Sequence, residues 1–332
     1  MDPYQNQDDP AQENRIQEDP IRENFIQEDP AQTRRLLRRA FSRLGWAAFA
    51  LMGVTQLLAA VFAVAVLFAA PQWMASPWYS WLLSYLPLYL AAFPIFWLMV
   101  RRMPSQRPGG SLEVSPGQVA RLVLLCLGAT YALNYVSLFI NFLIGLAKGA
   151  PVINPLAEIT GDPLSTFLFA GLVAPIMEEV VFRKILLDRL LPYGETFAVY
   201  GTAFLFALFH ANLSQLLYAF VLGAIFALLT LRTGGIRLSA LLHIIINNIG
   251  AFLLPYVLGL LPQSLSEGMA YAVTGGLVLV GAVLWRFMPK AGPAPAPQPL
   301  TPGEKRRAFL LNPGMLAYII LIVILIALVT MV

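Results

Sequence analysis

Two adjacent carboxylates and an arginine, Glu178, Glu179 and Arg183, stand inside PIMEEVVFR, in one of the most apolar parts of a 332-residue chain. The chain has two histidines, His210 and His243, and both lie in apolar runs, FALFH and HIIIN. Spacing groups these residues. Glu179 and Arg183 are four apart, share a helix face and can pair. His243 and Asn247 repeat that interval, which stacks an imidazole and a carboxamide on one face. Phe206 stands four before His210 and reads as packing. A glutamate in a partly desolvated site is a useful general base toward water. A histidine beside it can share that water and later protonate a leaving amine. An imidazole and an amide aimed at one spot suit an oxyanion. No Ser or Cys stands in an activated context, so water is the simplest nucleophile. With Glu179–Arg183 as a supporting ion pair, the set Glu178, His210, His243 and Asn247 is equipment for amide hydrolysis.

These groups need elements that hold them at one level. Composition says what kind: 58% of the residues are hydrophobic and 12% charged, more apolar surface than a soluble domain can hide. The expected fold is all-α, a polytopic transmembrane helix bundle of eight or nine spans. The runs are 46–70, 78–100, 119–146, 164–191, 197–212, 215–231, 238–254, 271–287 and 316–332. A charged side chain at mid-span costs about 2.5–3.5 kcal/mol on insertion scales, so an ionisable group there is read as functional. Turns at Pro192-Tyr193-Gly194 and Gly234-Gly235 set the depths. At 1.5 Å per residue, Glu178 and His210 lie about 21 and 27 Å from the first turn, and Asn247 and His243 about 18 and 12 Å from the second. One polar chamber on three helices follows.

Basic clusters at 34–43, 101–107, 183–189, 232–237, 286–290 and 305–307 fall on one side when the spans alternate, with Lys148 opposite. This predicts an integral, multi-pass protein with a cytoplasmic N-terminus, in the plasma membrane. Residues 1–33 repeat an Asp-Pro step every ten residues and read as a disordered acidic tail, not a signal peptide. A basic juxtamembrane collar, 34–45, reads as a topology anchor. Membrane helices follow at 46–160, then the core carrying the candidate residues, 161–255. A further helix occupies 256–290, a Pro-rich linker 291–312 and a peripheral C-terminal helix 313–332. The lone cysteine, Cys126, excludes a disulfide framework and a Cys-based zinc cluster. Asn134, Asn212 and Asn248 read as polar glue between helices, and Asp188 as a partner of Lys184.

Taken in order on successive helices, EEVVFR (Glu178–Arg183), FALFH (Phe206–His210) and HIIIN (His243–Asn247) resemble the CAAX protease and bacteriocin-processing family, also called CPBP or Abi. The resemblance covers about residues 160–255. It implies an intramembrane endopeptidase in which Glu178 and His210 activate water, His243 and Asn247 form the oxyanion site, and Glu179 and Arg183 support them. Eukaryotic members cleave the C-terminal tripeptide of prenylated CAAX proteins; bacterial members process peptides or confer bacteriocin immunity. The implied partner is a membrane-associated peptide or protein within the lipid bilayer, with no nucleic acid. Two other classes stay open: a catalytically silent immunity or scaffold protein, and a proton-coupled transporter, against which no inverted repeat is evident. Glu178, His210 and His243 could supply a two-His, one-carboxylate zinc site. H-E-x-x-H is absent, however, and Asn247 beside His243 reads as a donor pair, so no cofactor is expected.

Overall fold

The computed structural model describes residues 30–152, 162–286 and 300–331, and among them the chain is helical with no strand. The helices are α1 (Pro30–Ala69), α2 (Tyr79–Val100), α3 (Pro116–Lys148), α4 (Pro163–Tyr193), α5 (Glu195–Phe209), α6 (Leu213–Thr233), α7 (Arg237–Gly259), α8 (Gln263–Trp285), α9 (Pro302–Leu310) and α10 (Pro313–Met331). Eight of these are long and apolar enough to cross a membrane; α5, at 15 residues, is the shorter apolar one. The protein is an integral, multi-pass membrane protein. The acidic repeats at 1–29 and the Pro-rich stretch at 291–299 lie outside the described residues.

Helix ends follow local chemistry. Ser115 and Gln118 form a reciprocal capping box before α3, with Pro116 at its first position. Asp162 accepts from Ser165 N ahead of α4, and Asn212 from Gln215 N ahead of α6. Gly234 closes α6 at φ +75°, a conformation glycine reaches without a Cβ penalty. Two sequence readings change here. The collar is no separate unit: α1 starts at Pro30 and runs unbroken through 34–45 into the membrane, so 30–33 belong to the helix and not to the tail. Its arginines and leucines are good helix formers with no proline after Pro30, so nothing stops the helix. Asn212 is a cap, donating also to His210 O, and not interhelical glue.

The basic ends do gather at one end of the bundle. Arg189 Nε donates to Val100 O at 2.8 Å, Lys305 Nζ to Tyr193 O at 3.0 Å, and Arg34 pairs with Glu304 at 3.2 Å. At the opposite end Lys148 Nζ donates to Thr330 O, near the C-terminus of α10, where a cation suits the helix dipole. If the basic end faces the cytoplasm, as we propose, reporter domains fused after Met103 and after Pro151 will read cytoplasm and exterior respectively; the reverse pattern refutes that orientation.

One buried cluster joins α1, α2, α4, α5, α6, α9 and α10. A second joins α3, α6 and α7, with Leu277 and Leu284 of α8 packed against it. Lipid gives apolar helices no hydrophobic reason to associate, so close packing must do it. A Cβ built on Gly45 would stand 2.2 Å from Met315 N, and one on Gly314 2.0 Å from Ser42 O; only glycine lets α1 and α10 touch this closely. Gly128 and Gly281 let α3 and α8 meet in the same way. The C-terminal helix is therefore less peripheral than the sequence reading has it. Met315, Tyr318 and Ile322 are buried, while Ile320, Val323, Ile324 and Leu328 face outward.

Candidate active site

The site lies between the two clusters, where α7 runs antiparallel to α4 and is flanked by α5 and α6. Pi-helical turns shape both walls: Phe169–Val173 and Val180–Leu186 in α4, and Asn248–Leu253 in α7. They bracket Glu178-Glu179 and follow directly on Asn247. Such turns widen a helix by a residue and re-aim side chains, and they recur at functional sites.

His243 is the hub. Its Nδ1 is 3.0 Å from Glu179 Oε1, and its Nε2 is 3.6 Å from Glu178 Oε2. Glu179 Oε1 is also 3.2 Å from Arg183 Nη1, an ion pair whose geometry falls short of a hydrogen bond. Arg183, Glu179, His243 and Glu178 thus form one continuous chain of charge across α4 and α7. Glu179 and Arg183 are fully buried, whereas Glu178 keeps 18% of its side chain exposed. An unpaired buried charge is costly, and the pairing explains how this segment tolerates both.

Phe206 is more than packing. The Arg183 guanidinium carbon sits 4.2 Å from its ring centroid and 5.4 Å from that of Phe226. A guanidinium over aromatic rings gains cation–π stabilisation that a desolvated site strengthens. Phe206 also meets the rings of His210 and His243 edge-on, at 4.8 and 5.9 Å. The i, i+4 pattern of FALFH carried this signal, since the phenyl and imidazole share one face.

His210 Nδ1 is 2.9 Å from Phe206 O, which fixes the ring. Its charge environment includes Glu178, His243 and Arg183, so the structure brings it to the same chamber without a direct hydrogen bond to any of them. Asn247 has a backbone partner that its spacing to His243 does not announce. Its Nδ2 donates to Ala170 O at 3.0 Å, one turn farther along α7. A carboxamide has two N–H donors, so this bond orients Asn247 and leaves the second donor over. Asn248 beside it donates to Gly171 O at 2.8 Å and ties α7 to α4, as interhelical glue should. Trp81 and Tyr85 of α2 stack with Phe169, and Tyr85, Tyr89 and Tyr218 lie close enough to feel the charge of Glu178. The sequence reading missed this aromatic wall, because tyrosines and tryptophans in apolar spans carry no spacing that sets them apart from packing.

The depth estimate fails for His243 by a definite amount. It stands beside Glu178 although the two were placed about 12 and 21 Å from their turns, so those turns differ in level by roughly 9 Å. The end of α4 overshoots the start of α7. Asp188, expected to pair with Lys184, lies in that overshoot and interacts with Arg189, Arg107 and Lys184. Among the described residues no three of His, Cys, Asp and Glu are grouped so as to hold a metal ion; Glu178, His210 and His243 are not a preformed ligand set.

Fold and site together define a polytopic helical membrane protein with an intramembrane carboxylate–histidine centre. Residues 160–249 match the family model described as type II CAAX prenyl endopeptidase Rce1-like. The match falls on the segment that carries the three motifs and supports its resemblance to the CAAX protease and bacteriocin-processing family. A relative from Bacillus subtilis (strain 168), described as "Putative membrane peptidase YdiL", is 34% identical over 84 residues. The aligned stretch covers 24% of this chain and 34% of that protein, so the likeness is one of the core and not of the whole length. No solved structure matches the chain.

Proposed function

We propose that the chain is an intramembrane endopeptidase that hydrolyses a peptide bond in a membrane-associated peptide or protein, in the plasma membrane, with Glu178 as general base. The observation that carries this reading is the position of Glu178: a carboxylate inside the bundle, partly accessible, 3.6 Å from the imidazole of His243. Glu178 takes a proton from water as the oxygen attacks the carbonyl carbon. The oxyanion of the tetrahedral intermediate is met by the second N–H of Asn247 and, when both ring nitrogens of His243 carry protons, by its Nε2–H, with Nδ1–H held by Glu179. Glu178 or His210 then returns the proton to the departing nitrogen as the C–N bond breaks. Glu179 holds Nδ1 of His243 and so fixes which ring nitrogen faces the reaction. The family match and the peptidase-named relative support this reading. No cofactor takes part in it, so a chelator should leave purified activity intact.

The proteomes of cells carrying wild type and Glu178→Ala test the proposal. Membrane-derived peptides whose trimming disappears in the variant, with the variant folded and inserted, are expected. An unchanged profile would point instead to a non-catalytic membrane protein. Asn247→Ala removes one oxyanion donor and should lower the rate about 10²–10³-fold with residual cleavage, measured on whichever substrate that comparison reveals. A rate within twofold of wild type would take Asn247 out of the oxyanion site.

A further inference from the structure

The overshoot of α4 past the start of α7 leaves a recess at the basic end of the bundle, a vestibule of about 890 Å³. Segment 101–115 roofs it and is strapped down at two points: Gln106 N donates to Asp188 O at 2.7 Å, and Leu112 N to Arg232 O at 2.9 Å. The floor is the N-terminus of α7, Gly235 to Leu238. Ile236 at the N-cap supplies no side-chain cap, so the first N–H groups of a helix that continues deep into the bundle end in the recess. Arg107, Arg183, Lys184, Arg189 and Arg237 face the same space against one carboxylate, Asp188. Arg183 is 1% exposed; its Nη1 is ion-paired with Glu179, while its Nε and Nη2 have no hydrogen-bond acceptor. An open helix N-terminus and a buried guanidinium with unused donors, meeting in one polar recess, are the ingredients of an oxyanion site.

We propose that this vestibule binds a phosphate oxyanion carried on the headgroup of an anionic membrane lipid. The lipid source follows from position and size. The recess lies at the helix ends, where headgroups lie. Its wall includes Trp97, which is 40% exposed and packs under Arg189 at 5.2 Å, an amphipathic ring of the kind found at the membrane interface. The volume far exceeds one inorganic phosphate. Arg189 is already engaged with Val100 O and Ile185 O, and the single carboxylate of Asp188 offsets only part of the charge of Arg107 and Lys184, which leaves these two, Arg237 and Arg183 with the α7 amides as donors. Because Arg183 also pairs with Glu179, a bound headgroup touches the far end of the chain of charge that reaches Glu178. Binding of the headgroup here does not depend on the peptidase reading.

The test uses the full chain, purified in an uncharged maltoside detergent, and thermal unfolding as the readout. Dioleoylphosphatidylglycerol is titrated in one arm and inorganic phosphate in the other. The expected result is a saturable rise in Tm with the lipid and none with inorganic phosphate at matched concentration. The double variant Arg107→Gln/Lys184→Gln, altered at exposed positions, should lose at least about tenfold in apparent lipid affinity, the loss of one charge-assisted hydrogen bond or more. Arg101→Gln/Arg102→Gln, equally basic and on the same end but outside the recess, should stay within twofold of wild type. A shift reproduced by inorganic phosphate, in competition with lipid, keeps the oxyanion site and makes free phosphate its source. The proposal is overturned by a non-saturable shift, by equal losses in both double variants, or by a shift seen only with a peptide bearing a free C-terminal carboxylate.

Discussion

Glu178→Gln should cut turnover by about 10²–10⁴-fold or more while leaving folded protein and substrate binding in place. Glutamine keeps the volume of the side chain and can still face His243 Nε2, now 3.6 Å from the carboxylate oxygen. It cannot take a proton from water. The charge removed is the more exposed of the two glutamates and has no arginine of its own, so its loss should not strand a buried cation. The measurement is cleavage rate per folded molecule, with binding followed separately by capture of uncleaved substrate. Near-normal turnover by well-folded Glu178→Gln would remove it as the base. Full inhibition by a chelator with rescue by zinc would overturn the metal-free mechanism.

Much of this arrangement is legible in the sequence. Charge is so costly in a span that each ionisable group there is informative, and spacing then sorts the groups by face. That logic reached the Glu179–Arg183 pair and the convergence of Glu178, His210 and His243 on neighbouring helices. It reached neither the partner of Asn247 nor the hub position of His243. Sequence spacing gives the face of an ideal α-helix; the pi-helical turns of α4 shift its faces by an amount that no residue pattern announces, whereas Arg237–Asn247 is regular α-helix and the partner of Asn247 is a backbone carbonyl that no side-chain spacing marks. Relative depth was lost for a related reason. Counting residues from a turn gives depth only where turns are level, and the length of α4 beyond α7 is set by packing with α2 and segment 101–115, not by either helix alone.

The same blindness covered the roles of Phe206 and Phe226. A phenylalanine in an apolar helix is ordinarily packing, and only the position of Arg183 over two rings turns it into part of an ion's surroundings. The consequence is functional as well as structural. With Arg183 held by its rings, Glu179 is held by Arg183, and His243 by Glu179, so the ring that faces Glu178 is positioned from the opposite side of α4. Arg183→Lys should fail to substitute, because a lysine lacks the flat guanidinium that lies over both rings.

Glu179→Gln should accordingly act on the whole molecule. Breaking a buried ion pair from one side costs about 3–5 kcal/mol, since it leaves the other charge uncompensated. Here the stranded group is Arg183, 1% exposed, with a single carboxylate within ion-pairing distance. The variant should show a markedly lower Tm in detergent and a low yield of monodisperse protein, whereas Glu178→Gln should not. The two glutamates are neighbours in sequence, so this contrast isolates environment from position. The double variant Glu179→Gln/Arg183→Met removes both charges and keeps an apolar side chain between Phe206 and Phe226. It should recover a substantial part of the lost stability, because replacing a buried pair outright is far milder than halving it. Activity should not return with it. Without the Glu179 carboxylate, Nδ1 of His243 loses its 3.0 Å partner, and the imidazole is free to turn or change tautomer beside Glu178. Recovery of folding without recovery of cleavage is the signature of a residue that supports the fold through Arg183 and the chemistry through His243. A Glu179→Gln protein as stable as wild type would show that the ion pair is not what lets charge sit in this part of α4, and a stable double variant with full activity would show that His243 does not depend on Glu179 for its position.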